Sequence, residues 1–420
     1  MNFLLKSSTR DLRVALYLGS AAFFALLGYE FARSSVNTLY KTAYGVETLP
    51  WMLAINPVGL LLMVALYQKS LKWFGARRTL LYTTYGSALL FALGFTMVHL
   101  GFAWVIPLLF ILKSGYIVLL IEQYWSFINS IYSIETAKLL NGPIIGLSSI
   151  GAIAGGIGLH YLVERLGTPS MVLFTAISLI PAGYFSSKSF YLEKKEGSPR
   201  LIAEDRTDSW GLRAFRSFPS LKWILLIVLA TQVMAASLQL RFQTSLQLEI
   251  PDPDRQTGYS GLFFAYLNMG ALFFQFVVSP VVMRVLHPAK THFLIPLVHV
   301  AFGIIFLKDA GLFAAAASYM AFKCLDYSLF RVAKEILYIP MSFEARYRAK
   351  ELIDVLGYRF GKGGMSAVFA ALEGLGFSAL SLYSWVTLGS ALIWFLMVFP
   401  IKKYFLTNKA DLDLTLGDPV

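Results

Sequence analysis

SKSFYLEKKEGSPRLIAEDRTDSWGLRAFRSFPS, residues 187 to 220, is the one long polar stretch in a chain of 420 residues that is 57% hydrophobic. Around it, apolar runs of the ~20 residues that a helix needs to span hydrocarbon begin near residues 14, 50, 79, 102, 142 and 168 on one side and 221, 259, 291, 311, 354 and 377 on the other. The pattern predicts an all-α polytopic membrane protein of twelve transmembrane helices in two halves. A six-helix bundle is expected over 1–186, a cytoplasmic linker over 187–220, a second six-helix bundle over 221–402 and a cytoplasmic tail over 403–420. Such a 6+6 order is a transporter architecture. Charged residues make up only 14% of the chain, against about 25% in soluble domains, and this excludes a soluble enzyme.

The net charge of +12 needs a destination. Most Lys and Arg residues fall in short breaks between apolar runs rather than on a polar face, which excludes nucleic acid as a partner and makes the lipid bilayer one. With both termini cytoplasmic, 24 of the 36 bases fall in inner segments and four in outer loops, Lys41 among them. This obeys the positive-inside rule. The basic, uncleaved start of the first run reads as a retained first helix rather than a signal peptide. Cys324 is the single cysteine and forms no internal disulfide; the five histidines show no metal spacing, and no cofactor is called for.

Eight bases fall inside expected helices: Arg33, Lys113, Arg241, Lys323, Arg331, Lys334, Arg359 and Lys362, opposed by Glu30, Glu122, Asp326 and Glu335. A charge at membrane depth costs roughly 3 kcal/mol or more unless it meets a partner or water, so these residues line an interior. Glu30 with Arg33, Lys323 with Asp326 and Arg331 with Glu335 stand at helical pair spacing. Lys113 and Arg359 lie near expected helix ends, where they can snorkel. The excess of four positive charges points to an anionic small-molecule ligand, for which Arg241, Lys334 and Lys362 remain the strongest candidates. The first and tenth helices also share R-x5-LY, with Arg33, Leu39 and Tyr40 against Arg331, Leu337 and Tyr338, as expected of opening helices in a repeated fold.

Two further segments have a mechanical reading. KSLKWFGARR (69–78) is a short basic loop between the second and third helices, in which Lys72, Arg77 and Arg78 either gate alternating access or serve topology alone. GPIIGLSSIGAIAGGIG (142–158) places Gly151 and Gly155 at GxxxG spacing, a pattern for close helix packing.

Residues 325 to 366, LDYSLFRVAKEILYIPMSFEARYRAKELIDVLGYRFGKGGMS, resemble the bacterial and plastidic ATP/ADP translocase family, with its YSLFDPxKEMAYIPL and KxKGKAAVDVxGxRxGKSGGS patterns. Tyr327, Phe330, Lys334, Glu335, Tyr338, Lys350, Asp354, Arg359, Lys362 and Ser366 are among the matches. RSSVNTLYKTAYGVETLP (33–50) and QYWSFINSIYSIETAK (123–138) continue the likeness more thinly. The resemblance implies a major-facilitator-type fold, a bacterial inner-membrane location and a nucleotide substrate. It also reveals departures. The family's first-helix lysine falls on Val36 and the following acid on Asn37; its fourth-helix acid falls on Gln123, with Glu122 adjacent, and its seventh-helix acid on Gln239. Of the four charged positions that the resemblance associates with nucleotide exchange, only the tenth-helix lysine, Lys334, is kept.

The expected function is secondary transport by alternating access, moving an organic anion such as a nucleotide in ATP/ADP-type exchange or a related phosphorylated metabolite. The expected substrate residues are Arg33, Asn37, Glu122, Gln123, Gln239, Arg241, Arg331, Lys334, Arg359 and Lys362. The cations would match phosphate charge. The neutral amides would hydrogen-bond a sugar or base, and Tyr124, Trp125 and Phe242 would offer packing surface. A less charged or amphipathic cargo, nucleoside-like or lysolipid, stays open because family charges are lost. A membrane enzyme or a scaffold is the reading of another class. No catalytic motif supports an enzyme, and a monomer suffices for the pattern.

Overall fold

The computed structural model describes residues 9–194, 215, 218, 220–286, 288–308, 311–338 and 350–407. Among them all regular structure is helical. The helices are α1 (Thr9–Tyr44), α2 (Leu49–His99), α3 (Val105–Ile131), α4 (Ile134–Leu166), α5 (Thr168–Lys194), α6 (Ser220–Glu249), α7 (Pro253–Phe273), α8 (Ser279–Val285), α9 (Pro288–Lys308), α10 (Leu312–Leu325), α11 (Arg331–Ile336), α12 (Lys350–Asp354), α13 (Gly361–Gly374) and α14 (Ala379–Thr407). Three π turns join neighbours without a break: Phe274–Val278 between α7 and α8, Asp326–Phe330 between α10 and α11, and Val355–Phe360 between α12 and α13. Nine helices among the described residues are long and apolar enough to cross a membrane. The protein is a multi-pass integral membrane protein.

In hydrocarbon no water satisfies backbone groups, so helix is the form these runs take. Hydroxyls in the spans turn back to carbonyls on their own helix, as Ser35 does to Phe31 at 2.6 Å and Thr84 to Leu80 at 2.8 Å.

The expected basic loop at 69–78 is instead helical on both sides of Gly75, whose φ of 74° and ψ of 170° lie outside helix. Ser70 Oγ and Thr79 Oγ1 stand 3.1 Å apart, whereas nine residues of straight helix would separate them by roughly 13 Å. The chain therefore reverses at Gly75, a conformation only glycine adopts without strain. The polar stretch also begins later than expected, because α5 continues to Lys194.

The chain divides into two compact units, one of Met1–Val46, Val58–Glu204 and Ile250–Met269, the other of Glu47–Pro57, Asp205–Glu249 and Gly270–Val420. In the first, α1 packs against α3, α4 and α5. Gly151 and Gly155 permit this: a Cβ on them would lie 2.2 Å from the Phe23 carbonyl oxygen and 2.5 Å from that of Leu27 on α1. The GxxxG spacing is thus a backbone-to-backbone seam. In the second unit α6 packs against α10, α13 and α14, tied by a 2.8 Å hydrogen bond between the hydroxyls of Ser237 and Thr387.

Candidate functional site

Two π turns of the second unit, Asp326–Phe330 and Val355–Phe360, lie where its cations are. Such a turn widens the helix by one residue and occurs often at functional sites. Below the Asp326–Phe330 turn, Lys334 Nζ donates to Asp354 Oδ1 at 2.7 Å, stands 3.9 Å from Glu335 Oε1 and lies 5.0 Å from the centre of the Tyr358 ring. Lys350 Nζ donates to Glu335 Oε2 at 2.5 Å and faces the Tyr338 ring at 5.8 Å. Asp326, buried, sits in the field of Lys323, Arg331 and Lys334. Lys323 stands over the Tyr327 ring at 4.9 Å and repels Lys362, whose Nζ donates to Gln239 Oε1. Five cations and three carboxylates thus form one connected network with two positive charges in excess. Arg241 is buried on α6, its guanidinium 5.0 Å from the centre of the Phe306 ring.

These pairings change two expectations. Lys334 is not an unmatched cation but the partner of Asp354, 20 residues on. Glu335 is engaged by Lys350 and Lys334 rather than by Arg331, whose side chain is exposed. Arg359 falls in the Val355–Phe360 turn, and its side chain lies outside the described residues.

In the first unit, Arg33 pairs with Glu30 and stacks on Phe264 at 3.4 Å and Tyr29 at 5.2 Å. Glu30, buried, also accepts from Asn268 Nδ2 at 2.9 Å. Asn37 is buried with its Oδ1 unbonded among the described residues. Gln123 donates to the Leu119 carbonyl on its own helix at 3.1 Å, and its Oε1 has no partner among the described residues, while Glu122 is exposed. Lys113 does not snorkel: it is buried, its Nζ 3.4 Å from the centre of the Phe110 ring. Lys41 is not a loop residue either. It lies in the last turn of α1 and is 2% exposed. Lys72, Arg77 and Arg78 are exposed beside Gly75, and Arg77 donates to Ser187 Oγ on α5 at 3.4 Å.

Sequence reasoning missed Lys41 and understated Lys350 and Asp354. Gly45, with φ of 83° and its N–H bonded to the Lys41 carbonyl, was the available signal for the first, since glycine just past a helix marks its end. The other two stand within the carrier-like segment 325–366.

A family model described as TLC ATP/ADP transporter matches residues 290–405, which hold most of the second-unit network. The "ADP,ATP carrier protein 1" of Chlamydia muridarum is 23% identical over 349 residues, and the protein of that name from Chlamydia pneumoniae is 24% identical over 386 residues. Over both alignments the chain is similar to these carriers at low identity. The alignments cover 72% and 85% of the chain, and 65% of the C. muridarum carrier and 72% of the C. pneumoniae one. Among solved structures, the nucleoside transporter NupG superposes with a TM-score of 0.63 at 13% identity, covering 95% of this chain and 99% of that one. A bacterial homologue of the iron transporter ferroportin in an inward-facing state gives 0.67 at 15%, covering 94% and 99%. These likenesses establish the fold as major-facilitator type.

Proposed function

We propose that the protein is a secondary transporter that works by alternating access and exchanges nucleotides of the ATP/ADP type or a related phosphorylated metabolite. The observation that carries this reading is the net-positive network of Lys323, Arg331, Lys334, Lys350 and Lys362 against Asp326, Glu335 and Asp354, built on the segment that resembles the carriers. A phosphate chain crossing a low-dielectric interior needs fixed cations. Exchange needs no bond-breaking, so ATP is cargo and the protein is no enzyme. In this reading twelve helices span a bacterial inner membrane, both termini are cytoplasmic, and the bundles over 1–186 and 221–402 alternate access to the cargo. Arg33, Asn37, Glu122, Gln123, Gln239, Arg241, Arg331, Lys334, Arg359 and Lys362 contribute to cargo binding, and Lys72, Arg77 and Arg78 to the cytoplasmic gate.

A second reading rests on a specific observation. Val36, where the family has a lysine, is fully buried and apolar, and Asn37 and Gln123 are neutral. Fewer charges suit a less charged, nucleoside-like cargo. Proteoliposomes loaded with unlabelled ADP and given labelled ATP, ADP, AMP or adenosine separate the two. Counter-flow of ATP or ADP supports the first reading; uptake of adenosine with no nucleotide flux replaces it with the second.

A further inference from the structure

Lys41 is a buried cation of α1 that no acid neutralises among the described residues. Among those residues its Nζ has no hydrogen-bond partner and no carboxylate lies within ion-pair distance of it. A buried ammonium without a counter-charge is costly, so Lys41 calls for a role outside the packing seen here.

The neighbours of α1 indicate what that role is. At 100° per residue, Glu30, Ser34, Asn37 and Lys41 fall within about 60° of one another on one face of the helix. Side chains of the first half of α7 meet that face over Glu30–Ser34 in an antiparallel register. Glu30 meets Asn268, Arg33 meets Phe264, and Ser34 Oγ meets Ser260 Oγ at 3.2 Å. Extended by the same step, this register brings Asn37 level with Gln256 and Thr257, and Lys41 level with Pro253. The acids there are already engaged: Asp254 accepts from Thr168, and Asp252 accepts from the Arg255 N–H at 2.8 Å. The first half of α7 therefore lies over the Glu30–Ser34 part of a polar stripe whose far end is an unneutralised lysine.

We propose that Ser34, Asn37 and Lys41 form an outer docking lane for the phosphate chain of the cargo, exposed when the first half of α7 leaves α1, with Lys41 as the receiving cation. The proposal rests on the transport reading and names a contact at which that cargo is first held. It also accounts for the unbonded Asn37 Oδ1, which is placed to accept from a sugar hydroxyl.

The test uses the full-length protein in proteoliposomes. Asn37→Cys is treated from outside with a membrane-impermeant thiol reagent, with buried Cys324 as background in the unaltered chain. Expected are labelling of Asn37→Cys, protection by tripolyphosphate, and loss of protection when Lys41→Met is added. This readout needs no flux, so it stands even if no nucleotide is carried. In transport assays Lys41→Met is expected to raise the KM for external ATP roughly tenfold, the loss of one charge-assisted contact, with Lys41→Arg retaining most of the affinity. The Tm of Lys41→Met in detergent should stay level or rise, because an unpaired buried charge is removed. Absence of labelling, protection that is indifferent to Lys41, or a fall in Tm with KM unchanged would each overturn the lane.

Discussion

Asp254 Oδ1 accepts two hydrogen bonds from Thr168, one from its backbone N–H and one from its hydroxyl, each 2.7 Å long. Thr168 opens α5, so a carboxylate near the start of α7 caps a helix 86 residues earlier in the chain. A charged acceptor at a helix N-terminus satisfies an orphan donor and complements the helix dipole.

Asp254→Ala is expected to lower stability by about 1–2 kcal/mol, read as a fall in Tm in detergent. Because the same bond holds the start of α7 in place, the substitution should also increase labelling of Asn37→Cys from outside. A stability loss with unchanged labelling would show that the contact is a cap and nothing more.

Lys334→Ala should abolish exchange. Its cost in stability should fall below the roughly 3–5 kcal/mol of breaking a fully buried pair, because the Asp354 side chain is 36% exposed and water can take up the widowed carboxylate. A double-mutant cycle with Asp354→Ala, followed by thermal unfolding and flux, separates the two effects: stability should partly recover in the double variant while exchange does not. Normal exchange by Lys334→Ala would remove the second-unit network from the cargo path.

Gln239→Glu replaces the amide acceptor of Lys362 with a carboxylate. It cancels one of the two excess positive charges and restores the acid that the resemblance expects there. Competition among ATP, ADP and AMP should shift toward the less charged nucleotides, by severalfold. An unchanged preference would mean that Lys362 does not sense cargo charge.

Gly151→Ala places a methyl group 2.2 Å from the Phe23 carbonyl oxygen, and Gly155→Ala one 2.5 Å from that of Leu27. Backbone cannot step aside as a flexible side chain can. Each substitution should cost about 1–3 kcal/mol and lower the Tm, whereas Gly146→Ala, with open space at its Cβ, should be neutral.

The helices were legible because hydrocarbon imposes a length and an apolar pattern that a sequence displays directly. The α1–α4 seam was legible as well, since small residues four apart have one main use in a span. The charge pairing was not. Lys334 meets Asp354 across 20 residues and Lys362 meets Gln239 across 123, and local spacing favoured neighbours three or four residues away. Lys41 was lost through a boundary placed by hydropathy, since the polar end of α1 is buried by other helices rather than by lipid. Gly75 was read as part of a loop, although helix reaches it from both sides.

The π turns add a consequence for chain length. Each wide turn is one residue that a helix absorbs without ending, so the residues beyond it are rotated by about 100° from an uninterrupted course. Lys334 comes after the turn at Asp326–Phe330, and Lys362 after the turn at Val355–Phe360. Deleting one residue from either turn would keep every charge of the network in the protein yet swing the lysine to another side of its helix. The direction in which these cations face is therefore set by a count of residues as much as by their kind, and a one-residue deletion would disarm the site while its composition stayed intact.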